Sequence, residues 1–300
     1  MRVIHFKSYK KENSDIGIGI GKFDGVHIGH QSILNKVLCE SQKDSLTPSV
    51  FTFRNFPNEF MLYSWEDRLT LIKKSGIKLC IWCDFQEVYK IEADTFLDIL
   101  SEMGTKTIVV GYNFHFGAER KGDINFLQKN SVKYGYNLLL IPPQKKDGEI
   151  INSTKIRLSL KEGELNKVTD FLGRTFSIEG KVIHGDKIGG KLGFPTANLQ
   201  LFNNIKISEG VYAGFVKHNN KLYSSAIYIG NSPTFEKNER KFEVYLFDFE
   251  KNLYDETLKV YLIQKVRGIK IFENESQLKT QIYSDIEKIK HITKTNKIIG

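Results

Sequence analysis

The sequence predicts an α/β unit built on a parallel sheet, followed by a small closed β-barrel and a final helix. Two observations lead to this prediction. Strand-like and helix-like apolar segments alternate along residues 16–141, which is typical of βαβ units with helices on both sheet faces. From about residue 176 onward, short alternating strands are separated by Gly, Asn and Asp turns, which is typical of a small barrel.

In the first half, apolar runs of strand length are separated by segments with helical spacing. The predicted strands are Ile16–Ile20, Val50–Phe53, Leu79–Trp82, Thr107–Gly111 and Leu138–Ile141. The predicted helices are Ser32–Glu40, a segment carrying Trp65, Leu69 and Ile72, Phe96–Leu100 and Asn125–Tyr134. Ligands of parallel sheets bind beyond the carboxyl ends of the strands, at a switch point. We therefore expect residues 21–30 and the loop at 111–123, which both leave carboxyl ends, to share one site.

The second half begins with a helical stretch from Asn152 to about Gly173. The predicted strands that follow are Phe176–Ile183, Val211–Val216, Tyr223–Ile229, Phe242–Phe247 and Leu258–Leu262. The final helix is amphipathic, and Asn274 with Gln277 is a plausible N-terminal cap for it. We expect the domain boundary between about residues 160 and 175, which gives domains of residues 1–165 and 170–292.

The composition favours a protein that acts on small anionic molecules. A chain of 300 residues with 40% hydrophobic residues is long enough for about two ordinary cores. The formal net charge is +9, which suits anionic substrates. The lysines are dispersed, which is typical of a solvated surface, so we predict no nucleic-acid partner. The sequence carries no signal for an oligomeric state.

The cysteines predict neither a disulfide framework nor a metal site. Cys80 and Cys83 fit a C-x-x-C pattern, but they lie in an apolar strand-like run, and no second ligand pair accompanies them. We therefore expect structural cysteines. The N-terminus lacks the apolar core of a signal peptide, and no apolar run approaches the ~18 residues of a membrane span. These observations predict a cytoplasmic protein that does not enter a membrane.

The most informative segment is Gly-Lys-Phe-Asp-Gly-Val-His-Ile-Gly-His, residues 21–30, which follows the first predicted strand. A helix beginning at its end would direct N–H groups at a phosphate, and His27 and His30 could stabilise charge on phosphoryl oxygens. The segment resembles the H-x-G-H signature of nucleotidylyltransferases. The alternative is a glycine turn with one buried and one exposed histidine.

Two further segments could complete this site. The loop Val-Gly-Tyr-Asn-Phe-His-Phe-Gly, residues 110–117, offers aromatic rings for stacking and Asn113 for hydrogen bonding. The segment Ser-Thr-Lys-Ile-Arg, residues 153–157, offers hydroxyls and cations at a predicted helix start. Ordinary core aromatics and ordinary helix capping by Ser153 are the respective alternatives.

A second specific segment is Gly-Gly-Lys-Leu-Gly-Phe-Pro-Thr-Ala-Asn, residues 189–198. A glycine-rich turn with Lys191 could surround phosphates, and Thr196 and Asn198 could give oxygens to Mg²⁺. A flexible hairpin is the alternative. Glu243 alternates with apolar neighbours in a predicted barrel strand. An inward position would require a role for its carboxylate, an outward one would leave it solvated, and the alternation does not distinguish the two.

The order of these motifs resembles one family along nearly the whole chain, the prokaryotic bifunctional riboflavin kinase/FAD synthetases. The resemblance also includes Leu-Gly-Arg at 172–174, Gly-Val-Tyr at 210–212, Ile-Gly-Asn-Ser-Pro-Thr at 229–234, Phe-Glu-Val at 242–244 and Val-Arg at 266–267. It implies a Rossmann-like nucleotidylyltransferase domain that adenylylates FMN to FAD. It also implies a Greek-key riboflavin kinase barrel that makes FMN. Both reactions would use ATP and Mg²⁺.

The resemblance also implies residue roles. His27 and His30 would be catalytic in adenylyl transfer, and Glu243 would be the general base of the kinase. Implied substrate contacts of the adenylyl site are Gly21, Phe23, Asp24, Gly25, Gly29, Asn113, Ser153, Thr154 and Arg157. Implied contacts of the kinase site are Gly185, Lys191, Gly193, Thr196, Asn198 and Arg267, with Mg²⁺ on Thr196 and Asn198.

The chain departs from the family pattern at three positions. The family usually shows a Pro-His-Pro turn where this chain reads Asn55-Phe56-Pro57, and phenylalanine cannot donate a hydrogen bond to phosphate. Lys155 and Lys191 stand where arginine is commoner, which keeps the charge but loses the bidentate fork. Two alternatives therefore accompany the bifunctional prediction. Only one activity could be retained, with the adenylyl half the one in question, or the chain could be a non-catalytic flavin or nucleotide-binding regulator.

Overall fold

The chain divides into two compact units, Met1–Ser153 and Thr154–Gly300. The computed structural model describes residues 1–56, 60–185, 188–231 and 240–300, and only the backbone of residues 188 and 191. The units divide before the boundary expected at residues 160–175, because the two helices that follow Ser153 belong to the second unit. The domain bounds 1–165 and 170–292 stay a prediction.

The first unit is a parallel sheet with helices between its strands. Its elements are β1 (Arg2–His5), β2 (Ile16–Ile20), α1 (Ile28–Lys43), β3 (Thr47–Phe53), α2 (Trp65–Lys74), β4 (Leu79–Cys83), α3 (Phe85–Val88), α4 (Ala93–Glu102), β5 (Thr105–Gly111), α5 (Ile124–Tyr134), β6 (Asn137–Ile141), and the short strands β7 (Lys145–Lys146) and β8 (Glu149–Ile150). The strand order is β1-β4-β3-β2-β5-β6, and each of these pairs is parallel.

The strand order places a topological switch point at β2. The chain runs outward from β2 through β3 and β4, then returns to place β5 on the other side of β2. The carboxyl ends of β2 and β5 are therefore adjacent, with Gly19 opposite Val109 in the register. Such a point is where ligands bind in open α/β sheets. The expected proximity of residues 21–30 and 111–123 follows from this order.

Glycines in β2 let helix α1 approach the sheet closely. A Cβ at Gly19 would lie 3.0 Å from a methyl of Val37 and 3.1 Å from a methyl of Ile33, both on α1. The isoleucines of β2 point to the opposite face, where they pack with α4. The alternation of Ile and Gly thus gives β2 one face on which helix α1 packs closely and one face whose isoleucines are part of the other core.

The two sheet faces bury separate cores, and this arrangement decides the role of the C-x-x-C pattern. Cys83 packs in the core that includes α4 and α5, and Cys80 packs in the core that includes α1 and α2. Both are fully buried free thiols, and burial raises the pKa of Cys80 to about 12. They are structural cysteines, as predicted. Within the described ranges, no group of three or more His, Cys, Asp or Glu side chains could hold a metal.

The second unit is a closed antiparallel barrel. Its elements are α6 (Ser153–Glu162), α7 (Leu165–Leu172), β9 (Ser177–Ile183), α8 (Ile188–Lys191), β10 (Ala197–Leu201), β11 (Gly210–His218), β12 (Lys221–Asn231), β13 (Arg240–Leu246), β14 (Thr257–Arg267) and α9 (Glu275–Thr295). The order around the barrel is β10-β13-β12-β11-β14-β9. The connections from β10 to β11 and from β13 to β14 pass over neighbouring strands, as in a Greek key. Helix α9 packs on the outside, through Ile286 and Ile289.

The sequence missed several elements. Strand β10, which carries Asn198, was predicted as part of a glycine-rich turn, because only three residues separate it from Gly193 and its alternation of Ala197, Leu199 and Leu201 with polar residues is short. The helical stretch at 152–173 is two helices, since Gly163 adopts the left-handed conformation (φ 81°) that ends α6. Within the described residues, no helix is long and apolar enough to cross a membrane.

Candidate active sites

A cavity of about 590 Å³ opens at the carboxyl ends of β2 and β5 in the first unit. It lies within the range of about 300–1,000 Å³ that is usual for small-molecule sites. The predicted site residues that line it are Gly21, His27, Gly29, His30, Asn113 and Ser153. The segments that were predicted to share a site therefore line the same cavity.

His27 and His30 form the centre of one wall of this cavity. His27 is the N-cap of α1, and its Nδ1 accepts a hydrogen bond from the backbone N–H of His30 at 3.3 Å. The two rings stack with centroids 3.7 Å apart and planes 18° apart. Both residues line the cavity, with His27 buried and His30 partly exposed. The acceptor role of Nδ1 places the proton of a neutral His27 ring on Nε2.

The turn at residues 23–26, which precedes these histidines, is strained. Phe23 and Val26 have left-handed φ values of 47° and 41°, and Gly25 between them has φ 83°. A left-handed conformation costs a bulky or β-branched residue on the order of 1–3 kcal/mol, so the surroundings must hold it. The side chains of Phe23 and Val26 are buried in the core beneath α1. Burial of these side chains therefore compensates for the strain in the turn.

Asp24 and Ser153 fasten this turn to neighbouring segments. Asp24 is fully buried, and its carboxylate accepts a hydrogen bond from the backbone N–H of Leu62 at 2.7 Å. The hydroxyl of Ser153 donates to the backbone carbonyl of Asp24 at 2.9 Å. Phe23 and Asp24 do not line the cavity. Their placement favours a supporting role, and direct substrate contact by either stays a prediction.

The loop after β5 forms the opposite wall. Phe114 and Phe116 stack with ring centroids 5.5 Å apart, and Phe116 is also part of the core on the α4 side. The backbones of Phe116 and Gly122 exchange hydrogen bonds of 2.9 and 3.0 Å, which close the loop. Asn113 lines the cavity beside them. The aromatic residues of this motif thus pack in or against the core and also line the cavity.

Sequence reasoning missed two cavity features that lie at the end of β3. The ring of Phe56 packs against those of Phe53 and Phe85, with centroids 5.2 and 4.3 Å apart. The ammonium of Lys22 lies over the Phe56 ring, 3.7 Å from its centroid. All four residues line the cavity. Lys22 lies within the predicted motif and Phe56 lies at the position of the family's Pro-His-Pro turn, so both positions were available signals, whereas no pattern in the sequence predicted that Phe53 and Phe85 pack around them.

Arg68 is a buried cation that joins the segments around the cavity. It is 1% exposed, and its guanidinium donates to the backbone carbonyls of Lys22 at 3.3 Å, Phe53 at 2.8 Å and Arg54 at 2.6 Å. Burial lowers the pKa of Arg68 to about 10, and the charge of Asp24 opposes that shift. Arg68 therefore keeps its charge at neutral pH. An arginine on an amphipathic helix gives no sequence signal of such a role.

The second unit brings the predicted kinase residues together on adjacent strands. Asn198 of β10 is the direct register partner of Glu243 on β13, and Glu243 is in turn opposite Tyr228 on β12. Phe242 and Val244 are buried, whereas Glu243 is partly exposed. The alternation thus places Glu243 on the outer face of the barrel, the orientation that the sequence left open. Burial and the nearby charge of Glu243 raise the pKa of Tyr228.

Glycines lie close to the predicted metal-binding residues Thr196 and Asn198. A Cβ at Gly185 would overlap the amide of Asn198, and a Cβ at Gly189 would lie 3.1 Å from Oγ1 of Thr196. Gly193 has a left-handed φ of 90° just after α8. The backbone at Gly185 and Gly189 can therefore pack closely against Asn198 and Thr196 only because these two positions have no side chain. The side chain of Lys191 and residues 232–234 of the Ile-Gly-Asn-Ser-Pro-Thr motif lie outside the described part of the chain.

Arg267 lies at the end of β14 and is engaged with helix α9. Its Nε donates to Oδ2 of Asp285 at 2.8 Å, and Gln281 donates to Oδ1 of the same carboxylate at 2.8 Å. Asp285 is buried. Arg267 thus positions α9 on the barrel, and the flavin contact implied for its stretch stays a prediction.

Comparison with known proteins identifies both units. A family model described as FAD synthetase matches residues 9–155, and one described as riboflavin kinase matches residues 172–293. The bifunctional riboflavin kinase/FMN adenylyltransferase of Buchnera aphidicola subsp. Schizaphis graminum is 35% identical over 305 residues, covering 97% of each chain. The Escherichia coli K12 protein of the same name is 32% identical and covers 95% of each chain. This chain belongs to the bifunctional riboflavin kinase/FMN adenylyltransferase family.

The fold of this riboflavin kinase/FMN adenylyltransferase family member also has a solved counterpart. The crystal structure of a macrolide-efflux protein from Streptococcus pneumoniae matches it with a TM-score of 0.85 at 28% sequence identity. The match covers 96% of this chain and 98% of that one. The succession of sheet unit and barrel is therefore shared over the whole length.

Two residues predicted for the adenylyl site of the family member begin the second compact unit. Thr154 and Arg157 lie on α6, one and four residues after Ser153, which lines the cavity of the first unit. Their roles in the adenylyl site stay predictions.

Proposed function

We propose that this chain phosphorylates riboflavin with ATP in its barrel unit and adenylylates FMN with a second ATP in the cavity of its sheet unit. The observation that carries the adenylyl half is the stacked pair of His27 and His30 at the start of α1, in the wall of the cavity. The kinase half is supported by the register partnership of Asn198 and Glu243. Each unit also matches the family model for its activity.

In the adenylyl site, a phosphate oxygen of FMN would attack the α-phosphorus of ATP, forming the new P–O–P bond while the bond to pyrophosphate breaks. A phosphate monoester is largely ionised at neutral pH, so no strong base is required. The site must orient the two phosphates and stabilise charge on the oxygens around the α-phosphorus. The Nε2–H of His27, the ring of His30 and the N-terminus of α1 are suited to that work.

In the kinase site, Glu243 would accept the proton of the ribityl 5′-hydroxyl as that oxygen attacks the γ-phosphorus of ATP. The bond from the γ-phosphorus to ADP breaks in the same transfer. Asn198 on the adjacent strand would hold the phosphate end of the nucleotide beside the carboxylate of Glu243. Tyr228, on the other side of Glu243, has a raised pKa and stays protonated, so its hydroxyl, which donates to the backbone carbonyl of Asn231 at 3.1 Å, adds no negative charge there.

The residues present fit Mg²⁺. Thr196 and Asn198 offer neutral hydroxyl and amide oxygens, which are hard ligands, and Mg²⁺ prefers few protein oxygens together with substrate phosphates and water. Bound there, the ion would neutralise charge on the phosphates during transfer. The described residues hold no cluster of acidic, histidine or cysteine ligands, in agreement with a cation that depends on the nucleotide for binding. The cytoplasmic location stays a prediction.

The decisive experiment follows the flavins. Purified full-length protein is incubated with ATP, Mg²⁺ and either riboflavin or FMN, and the products are separated by chromatography. We expect riboflavin to yield FMN and then FAD, and FMN to yield FAD and pyrophosphate. FMN that accumulates without FAD, even when FMN is supplied, would overturn the adenylyl assignment. Conversion of FMN but not of riboflavin would overturn the kinase assignment.

A further inference from the structure

The loop after β5 is closed and tied to the rest of the first unit. The backbones of Phe116 and Gly122 exchange hydrogen bonds of 2.9 and 3.0 Å across its base. Between them, the N–H of Ala118 donates to the carbonyl of Ile91 at 2.7 Å, which links the loop to the segment before α4. The loop tip at residues 118–121 therefore has a defined position beside the cavity.

The backbone of this loop tip is strained. Glu119 and Arg120 have left-handed φ values of 54° and 60°, and Gly117 just before them has φ 73°. Left-handed backbone is uncommon outside glycine, asparagine and aspartate, because the Cβ crowds the carbonyl oxygen that follows it. Glutamate and arginine keep this conformation in succession because the closed loop imposes it. Strain of this kind is found mainly at ligand-binding sites, so we asked what Arg120 could bind.

Arg120 brings a positive charge without a carboxylate partner to the cavity wall. It is exposed, and it lines the same cavity as His27 and His30. Glu119 is the single acidic residue among the described residues that line this cavity, and its carboxylate pairs with Lys121 at 3.0 Å. Within the described part of the chain, the guanidinium of Arg120 makes no ion pair and no hydrogen bond. Its N–H donors therefore remain available to a ligand.

The chemistry of the cavity calls for such a group. Adenylyl transfer brings two phosphate-bearing anions together, so their mutual repulsion must be offset by positive charge and by N–H donors. The N-terminus of α1 supplies donors on one wall, beside His27 and His30, and Arg120 supplies them on the loop after β5. A guanidinium is planar, and two of its parallel N–H groups match two oxygens of one phosphate.

We propose that Arg120 is a phosphate-binding residue of the adenylyl site, which donates a pair of hydrogen bonds to the oxygens of one phosphate group. This inference rests on the proposed adenylyl function and adds a residue to that site from the loop after β5. The strained backbone fixes the point from which the side chain extends to the ligand. The ligand chemistry is a phosphate oxygen, carried either by ATP or by the phosphate of FMN.

The first test replaces the guanidinium. R120M removes the charge, R120K keeps the charge without the planar fork, and K129M removes an exposed lysine of α5 that does not line the cavity. FAD formation is measured in full-length protein with ATP and FMN varied separately. We expect R120M to lower kcat/KM about 10- to 100-fold, the range for loss of a charged hydrogen bond. R120K should lose about 2- to 10-fold, because one hydrogen bond of the pair is lost, and K129M should match wild type.

The varied substrate identifies the ligand. A rise in KM that is confined to ATP places Arg120 on the triphosphate, a rise confined to FMN places it on the flavin phosphate, and a fall in kcat alone places the contact in the transition state. Each of these results supports the inference. Unchanged kcat/KM for both substrates in R120M, with wild-type protein making FAD, overturns it. An inactive wild-type protein would instead overturn the adenylyl assignment itself, so the two failures differ.

A third variant separates phosphate binding from a role in holding the loop. Glycine adopts a left-handed φ without steric cost, so R120G should fold with a melting temperature close to that of wild type. It should nevertheless lose as much kcat/KM for FAD formation as R120M, while FMN formation from riboflavin stays unchanged in both variants. A melting temperature that falls together with the activity in R120M and R120G would show that Arg120 stabilises the loop instead, and would overturn the inference.

Discussion

The rings of His27 and His30 stack with centroids 3.7 Å apart, and His27 also caps the helix on which His30 lies. His27 thus both caps the helix and stacks on the second imidazole. Because the cap bond runs from the backbone N–H of His30 to His27 Nδ1, it holds the His27 ring against the first turn of the helix, and the His30 ring stacks on it. We expect the stacked pair to act together in adenylyl transfer.

We expect H30Q to lower the rate of FAD formation from FMN about 100- to 1,000-fold, because loss of one donor to a developing oxyanion has effects of that size. The exposed His291 of α9 supplies the matched control H291Q, which should keep wild-type rates. Steady-state assays with FMN and ATP measure both. FMN formation from riboflavin by H30Q should be unchanged, and an equal fall in both activities would contradict an adenylyl-specific role.

The kinase base gives a second prediction. E243Q keeps the shape of the side chain but cannot accept the hydroxyl proton, so we expect FMN formation to fall by about 100-fold or more, the size typical of general-base loss. Riboflavin binding, measured by flavin fluorescence, should largely survive. The exposed Glu250 supplies the matched control E250Q. Normal FMN formation by E243Q would remove Glu243 from its assigned role.

A third prediction concerns Gly185. A methyl group there would overlap the amide of Asn198, which is the movable end of a side chain rather than backbone. We therefore expect G185A to fold, to form FMN more slowly and to require more Mg²⁺ to do so, while FAD formation from FMN stays normal. G190A is the matched control, because no heavy atom lies within 4 Å of its new Cβ. A Mg²⁺ titration of FMN formation compares the two, and equal curves would exclude displacement of a metal ligand.

The sequence predicted those parts of the sites that depend on local pattern. The strand, glycine turn and two histidines at 16–30 are contiguous, so their contribution to the cavity could be predicted. Phe85, which lines the cavity, and Arg68, which holds the segments around it, are different, because their positions depend on tertiary packing that no local periodicity encodes. The strand β10 was missed for a related reason. It is defined by its pairing with β9 and β13, and its short alternation follows the glycine-rich segment so closely that the whole segment was predicted as a turn.

The buried Arg68 gives a fourth prediction, on stability. Lysine at this position would keep a charge but could not reach three carbonyls with a planar fork. We expect R68K to lower the free energy of unfolding of the first unit by about 3–5 kcal/mol, as for a broken buried charge network. Urea denaturation monitored by near-UV circular dichroism measures it. R54K, which retains the backbone carbonyl that Arg68 contacts, should change little.

Glu87 gives the last prediction, which is a pH dependence. Hydrogen bonds from His5 and from the backbone of Asp84, with further help from Lys7, lower the pKa of Glu87 from 4.5 to about 2. The ionised carboxylate therefore stabilises the folded state fully above pH 4.5, and that contribution is lost as the pH falls from 4.5 through about 2.

E87Q cannot ionise, so wild type should exceed E87Q in thermal stability at pH 6, and the difference should shrink toward zero near pH 2. The exposed Glu102 supplies the control E102Q, which should follow wild type at every pH. A difference between wild type and E87Q that is the same at pH 6 and pH 2 would contradict the assignment. Glu87 lies on α3, whose Phe85 lines the cavity of the first unit and packs against Phe56. The hydrogen bond between His5 and Glu87 therefore also helps to hold these aromatic residues of the cavity wall in place.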